Sequence, residues 1–283
     1  MTAAQLEQIK KTLLPRALKF QIGCGAEPTM YPDLASVVRL GAEAKVPYIS
    51  LTTNGQLIAA GRVDLMQLAA EGLNEITLSM HGTKAETYEE LMPGAKFERL
   101  QKLVDILHDV KQSYPQFKIR INFTVNSLNV YDLEGNKFWD IWDKANVQPD
   151  IIQLRPVQDF GESVWRDFDL QPLRDNYDTT IGNVIKQCKS RDITCIAPEL
   201  SHLDHVADTE QVFAKIVEDI TYCYVSRNAV YHDDFDAEAD TFNSYHKRRG
   251  TLKQLLIGAI RPSHLKHGLR NDSGSLKLNY SVK

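Results

Sequence analysis

The sequence predicts an α/β protein built on a parallel sheet that curls into a barrel or part-barrel. Helical and strand-like patterns alternate through the first two thirds of the chain with short connections. Strands separated in this way are joined by right-handed crossovers, which lay helices over a parallel sheet. Composition agrees: 43% hydrophobic and 25% charged residues in 283 positions suffice for one large core, alone or with an appendage.

The elements follow in order. "TAAQLEQIKKTLL" has helical spacing at Leu6, Ile9 and Leu13, and "ALKFQI" reads as a strand. "DLASVVRLGAEA" is a helix with Asp33 at its N-cap after Pro32. "VPYISLTT" is a strand, "VDLMQLAAEG" a helix and "NEITLSM" a strand. "FERLQKLVDILHDVKQSY" is a long amphipathic helix, with Phe97, Leu100, Leu103, Val104 and Leu107 on one face. "KIRINFTV", "DIIQLRPV" and "DITCIA" are further strands, with "KFWDIWDKA" and "YDTTIGNVIKQCKSR" as helices between them. The unit opens on a helix with no strand before it, so either that helix is an addition or a first strand is absent. Beyond about residue 200 the texture shifts to an acidic run, "HDDFDAEAD", a basic "HKRRG" and a polar end, "LRNDSGSLKLNYSVK". The expected division is a barrel-like unit over 1–200, a small extension over 201–262 and a polar tail over 263–283.

A formal net charge of -4 gives no electrostatic case for nucleic acid or an anionic membrane as partner. No apolar run approaches a bilayer span and "MTAAQLEQIKK" holds no signal-peptide core, so a cytoplasmic location is expected. Cys24, Cys188, Cys195 and Cys223 are too few and too scattered for a disulfide framework and read as reduced thiols.

Ligand sites in parallel sheets lie beyond the C-terminal strand ends. Those ends carry Gly23, Gly25, Ala26 and Glu27; then Thr52, Thr53, Asn54 and Gly55; then Ser79 and His81; then Asn122, Thr124 and Asn126; then Gln153 and Arg155. Glycine and alanine open the main chain to a ligand, amides and hydroxyls pair with ribose or carboxylate, and arginine forks onto a carboxylate. The set suits a polar, zwitterionic ligand with an apolar body. Each residue also has a plainer reading. Thr-Asn-Gly makes turns, Glu27 can cap the following segment, Ser79 can bond its own backbone, and Arg155 can pair with Asp150 or Asp159. Cys188 and Cys195 read as structural thiols, His202 and His205 as a helical pair lacking a third metal ligand, and Trp139 and Trp142 as packing.

Five motifs in order resemble the radical S-adenosylmethionine (SAM) superfamily: "GAEP" with "TMYPDL", "LTTNG", "ITLSMHGTKAETYEELMPGAKFERLQKLVDIL", "RINFTVNSLN" and "IIQLRPV". The resemblance implies a partial (βα)6 TIM-like barrel missing its first strand. It also implies SAM as cofactor, a 4Fe-4S cluster, and a 5′-deoxyadenosyl radical that abstracts hydrogen from a substrate, for instance a peptide or protein. Gly25, Ala26 and Glu27 would line the methionine amino group and Ser79 the ribose or carboxylate. Asn54, Asn122, Asn126 and Arg155 are further candidates for ribose, carboxylate or substrate. The family's cluster is held by CxxxCxxC, which this sequence does not contain. The expectation is therefore no metal site within these residues and a start set at an internal Met, inside a longer reading frame. "CYVSRNAVYHDDFDAEADTFNSYHKRRGTLKQLL" resembles the SPASM/twitch extension, with Cys223 at its opening position, Ala237 at the turn and Phe242 where a closing cysteine would stand. That places a small α+β extension at the C-terminal end, without an auxiliary cluster. Two other readings remain. One is a degenerate, cluster-free homologue acting as a binding or partner protein; the other is a cluster-free barrel enzyme using Glu27 as a general base.

Overall fold

A computed structural model describes residues 1–23, 26–158 and 169–204, with positions 239, 241, 244, 247, 248, 281 and 282. The expected 201–262 extension and 263–283 tail, with Cys223, Ala237 and Phe242, lie almost wholly outside the described residues.

The chain opens on α1 (Ala3–Thr12), capped reciprocally: the Thr2 hydroxyl accepts from Gln5 N–H, and the Gln5 side chain accepts from Thr2 N–H. There follow β1 (Phe20–Ile22), α2 (Leu34–Glu43), β2 (Ile49–Thr53), α3 (Gln56–Ala59), α4 (Leu65–Ala70) and β3 (Glu75–Ser79). Next come α5 (Ala85–Leu91), α6 (Phe97–Ser113), β4 (Lys118–Val125), α7 (Asp140–Lys144) and β5 (Ile151–Pro156). The set closes with α8 (Gln171–Asp175), α9 (Ile181–Ser190) and β6 (Thr194–Ala197), and with β7 (Ser281–Val282) antiparallel to β6. Asp33 caps α2 as its sequence position predicts, accepting from Ser36 N–H at 3.1 Å.

Strands β1 to β6 lie in sequence order, each parallel to the next. Right-handed crossovers taken in that order put every helix on one side and curl the sheet, giving a partial TIM-like barrel as expected. The two faces are legible in β4. Ile119, Ile121, Phe123 and Val125 are fully buried against the helices, while Lys118, Arg120, Asn122 and Thr124 alternate with them on the concave side. The helix-side core includes Leu100, Leu103, Val104 and Leu107 of α6, all fully buried. Trp139 and Trp142 are buried there too, so both are packing residues.

Helices α3, α5 and α8 were not among the expected elements; α3, of four residues, is too short to show a period. α3 exists because Gly55 takes φ +70° at its N-cap. A Cβ there would meet Leu103 Cδ2 at 2.1 Å, so only glycine allows the chain to turn from β2 onto α6.

The floor of the concave face is closed by one carboxylate. Glu75, 1% exposed, accepts from Arg120 Nε at 3.2 Å and Nη2 at 3.3 Å, Tyr48 Oη at 2.8 Å, Thr77 Oγ1 at 3.3 Å and Lys19 Nζ at 3.4 Å. Burial opposes its charge, but Arg120, Tyr48 and Lys19 outweigh burial and hold the carboxyl below its usual range. The same burial, with Glu75 beside it, pushes the Tyr48 hydroxyl upward. Asp150 is engaged elsewhere, accepting from Lys111 at 2.7 Å, Lys118 at 2.9 Å and Ile119 N–H at 2.9 Å, so it is not the partner the sequence offered to Arg155.

Two outcomes follow from this packing. Gly55→Ala should lower stability by about 2 kcal/mol or more in urea denaturation, through the left-handed backbone and the Leu103 clash. Glu75→Gln should cost about 3 kcal/mol at neutral pH, because Arg120 is left half-buried without its counter-charge. Since folding lowers the Glu75 pKa, that contribution is full above the unfolded value of about 4.3 and vanishes as pH falls through the folded one. The gap between wild type and variant should therefore close in denaturation curves taken at progressively lower pH.

Candidate functional site

The rim beyond the strand ends starts at Gly23, with φ +87°. A Cβ at this position would stand 2.7 Å from the Thr52 carbonyl oxygen, so the turn leaving β1 lies directly against β2. Gly25 and Cys24 lie outside the described residues, and Ala26 is exposed at the bend that follows.

Glu27 ties this turn to the next strand. Its Oε1 accepts from Thr29 N–H at 3.1 Å, Thr29 Oγ1 at 2.5 Å and Thr53 Oγ1 at 2.5 Å, and its Oε2 accepts from Asn54 N–H at 2.9 Å. The plainer reading of Glu27 as a cap is therefore part of the answer, since it caps the 3-10 turn Pro28–Met30. Four internal donors occupy the lone pairs a general base would need, which disfavours that role. All four donors are neutral, and among the described residues no cation is paired with Glu27. Asn54 continues the brace: its Oδ1 accepts from Gln56 N–H at 3.0 Å, forming the turn into α3.

The middle of the rim is organised around His81 and Asn129. His81 Nδ1 accepts from Thr124 N–H at 3.0 Å, which places the ring proton of the neutral form on Nε2. Burial, then the nearby Arg155 charge, lowers the His81 pKa to about 4, so the imidazole is neutral at neutral pH. Asn129 is fully buried and donates from Nδ2 to the His81 carbonyl at 2.9 Å and the Thr124 carbonyl at 2.8 Å. Asn126 is 4% exposed, and its Oδ1 accepts from Leu128 and Asn129 N–H at 2.9 and 3.3 Å. That oxygen is built into the loop and does not face a ligand. Asp132, also buried, accepts from Thr83 N–H at 2.8 Å and from the Thr87 hydroxyl, pinning the loop after β3. Asn129 and Asp132 escaped the sequence reading; the Asn-x-x-Asn spacing after a strand was the available sign of a self-capped loop.

The other candidates share the concave face. Ser79, Asn122 and Gln153 are adjacent partners in the parallel registers of β3, β4 and β5, and Thr124 and Arg155 pair one layer nearer the rim. Asn122 Oδ1 is buried with no hydrogen-bond partner. Arg155 is exposed at the β5 end. The rim thus has polarity: an anionic brace at β1 and β2, a neutral imidazole at β3, and a cationic side chain at β5.

The structure brings Ala26, Glu27, Asn54, Ser79, Asn122 and Arg155 to one end of the sheet, with Asn126 turned into its own loop. Residues 1–124 match the family model described as Radical SAM superfamily. Over that stretch, less than half of its length, the chain is similar to the radical SAM superfamily. A "Probable GTP 3',8-cyclase" of Saccharolobus solfataricus is 30% identical over 135 residues, covering 47% of this chain and 41% of that protein. The counterpart in Thermoplasma volcanium is 26% identical over 130 residues, 46% of this chain and 36% of the relative. The chain therefore matches less than half the length of these relatives. Among solved structures, Streptococcus suis SuiB bound to S-adenosylmethionine superposes with a TM-score of 0.55 at 18% identity, over 78% of this chain and 50% of SuiB. That likeness supports the fold.

A radical SAM domain implies a 4Fe-4S cluster held by three convergent thiolates. The described residues do not fit one, for they include no cluster of three His, Cys, Asp or Glu side chains able to hold a metal. Cys188 and Cys195 are buried side by side between α9 and β6, and the Cys188 thiol is pushed up by its hydrogen bond with Cys195 and by burial. Both are structural thiols. His202 Nδ1 accepts from Glu199 N–H at 3.2 Å, and His205 lies outside the described residues.

Glu27→Ala would leave two main-chain N–H groups and two hydroxyls without their acceptor. It should cost about 2–4 kcal/mol in urea denaturation and speed amide exchange at Thr29 and Asn54, whereas Glu27→Gln, keeping one acceptor oxygen, should lose less.

Proposed function

We propose that this chain binds SAM along the strand-end rim and forms the SAM-binding part of a radical SAM enzyme that acts on a second, bound substrate. The polarity of the rim is the observation that carries this reading. Among the described residues the Glu27 carboxylate has only neutral partners, so it brings a negative charge beside the exposed turn at Ala26. Arg155 provides the opposite charge across the sheet, and Ser79 and Asn122 offer uncharged polar groups between them. A zwitterionic amino acid moiety is complementary to this arrangement, with its ammonium toward β1 and β2 and its carboxylate toward Arg155. The SAM-bound state of SuiB supports the same ligand.

The chemistry the family draws from SAM, hydrogen abstraction by a 5′-deoxyadenosyl radical, needs an electron donor that the described residues do not ligate. The work of this chain's own residues is placement: a braced turn, a neutral His81 that adds no charge near the sulfonium, and a polar face for the substrate. A peptide or protein is the substrate class the sequence resemblance suggests. A second reading, a SAM-binding or partner protein without redox chemistry, would use the same rim.

Titration calorimetry tests the binding step. Wild type should bind SAM saturably, and Arg155→Ala should weaken it about tenfold, the value of one lost charged hydrogen bond, while leaving decarboxylated SAM nearly unaffected. No heat of binding with wild type, or equal losses for both ligands, would sink the proposed orientation. Anaerobic treatment of the chain with iron and sulfide separates the two readings: a brown, SAM-responsive product supports the enzyme, and a colourless protein that still binds SAM supports the second.

A further inference from the structure

Below the rim, the concave face holds a row of neutral polar side chains, one of which carries a buried oxygen with no hydrogen-bond partner among the described residues. Ser79, Asn122 and Gln153 are consecutive register partners across β3, β4 and β5, with Ile196 of β6 at the end of the row. By alternation they face away from the core formed by Leu78, Ile121, Phe123, Ile152 and Leu154. Gln153 is 6% exposed. Asn122 Oδ1 is buried, with no hydrogen-bond partner among the described residues. The layer beneath differs sharply, because Glu75 and Arg120 answer each other there and Thr77 joins them. Buried polar groups are ordinarily paired, so the unpaired Asn122 oxygen beside the Gln153 carboxamide marks a surface that a polar ligand can complete.

We infer that this row is a substrate-reading layer for a neutral amide, a –CO–NH– group with donor and acceptor side by side. The inference rests on the rim reading above and deepens it by naming the group that the bound substrate presents below SAM. Each carboxamide offers an N–H donor and a C=O acceptor, the complement of an amide edge, and Ser79 adds a hydroxyl that can do either. An ionised group is a poor match, because the row is neutral and the nearest carboxylate, Glu75, is already bonded to Arg120, Lys19 and Tyr48. The amide could be the lactam edge of a nucleobase or a peptide group, and the two sources are separable by experiment.

The test uses the 15N-labelled chain and follows its side-chain NH2 resonances, with Gln153 assigned by its loss in Gln153→Leu. Guanosine and N-acetylalanine N-methylamide are titrated, with adenosine, which lacks the lactam N–H, and methyl 2-acetoxypropanoate, in which both amides are esters, as controls. The Gln153 resonance should shift with at least one amide probe, bound at least tenfold more tightly than its control. A guanosine response alone assigns a nucleobase, and a dipeptide response alone assigns a peptide. Gln153→Leu should weaken binding of the responding amide probe at least tenfold by calorimetry, leave the SAM affinity within twofold, and hold or raise Tm, since a carboxamide is replaced by an apolar group. No shift with either probe overturns the inference, as do controls that match the amides or a Tm that falls by more than about 5 °C, which would make Gln153 a packing residue. If wild type fails to bind SAM, the rim reading falls, and the amide titration still decides the row.

Discussion

The Glu27 carboxylate is the contact on which the rim depends. A parallel sheet brings strand ends together but does not fix the loops beyond them, and β1 is only three residues long. Glu27 solves this by accepting from Thr29 in its own turn and from Thr53 and Asn54 at the end of β2, so one side chain fastens two loops. Gly23 makes the approach possible and Gly55 lets the second loop leave toward α3. A carboxylate suits the task because it accepts several hydrogen bonds at once and carries its charge into the site it braces.

The concave face reads as two chemistries stacked along the strands. At the floor, charge meets charge: Glu75 with Arg120 and Lys19, completed by Tyr48 and Thr77. This layer is self-sufficient and gives the curled sheet a rigid base. One layer higher the side chains are neutral, at Ser79, Asn122 and Gln153, and the Asn122 oxygen is buried with no partner among the described residues. Burying that oxygen unpaired costs stability that these residues do not return. Stability withheld in this way marks places where a ligand completes the structure.

Much of the fold was legible because its signals are periodic. The alternation in "KIRINFTV" became the two faces of β4, and the apolar stripe of Leu100, Leu103, Val104 and Leu107 became the buried side of α6. α3 was not legible, since its four residues have no period and its start depends on the close approach of Leu103, distant in sequence, to a glycine at position 55. The site divides along the same line. Glu27, Asn54, Ser79, Asn122 and Arg155 reach one end of the sheet because strand parity and direction determine which residues meet there. Asn126 looked equivalent to Asn122, both being asparagines near the end of one strand. Only three dimensions show that Asn126 caps its own loop while Asn122 keeps an unanswered oxygen. An amide's identity says what it can bond, and only its neighbours say whether that capacity is already used.

The electrostatics of the rim follow from the same economy of charge. His81 lies between the anionic and cationic ends, and a protonated imidazole there would add a second positive charge beside Arg155. The fold prevents this twice. Burial and Arg155 lower its pKa to about 4, and the Thr124 N–H occupies Nδ1, the position a second proton would need. His81 thus presents an uncharged N–H from Nε2 across the working pH range, and the separation between Glu27 and Arg155 is preserved. A ligand carrying both charges gains from each end without displacing an internal ion pair at Glu27, because Glu27 has only neutral partners among the described residues. The brace that holds the loops together therefore also leaves its charge available, so that in the proposed reading structure and recognition reside in one carboxylate.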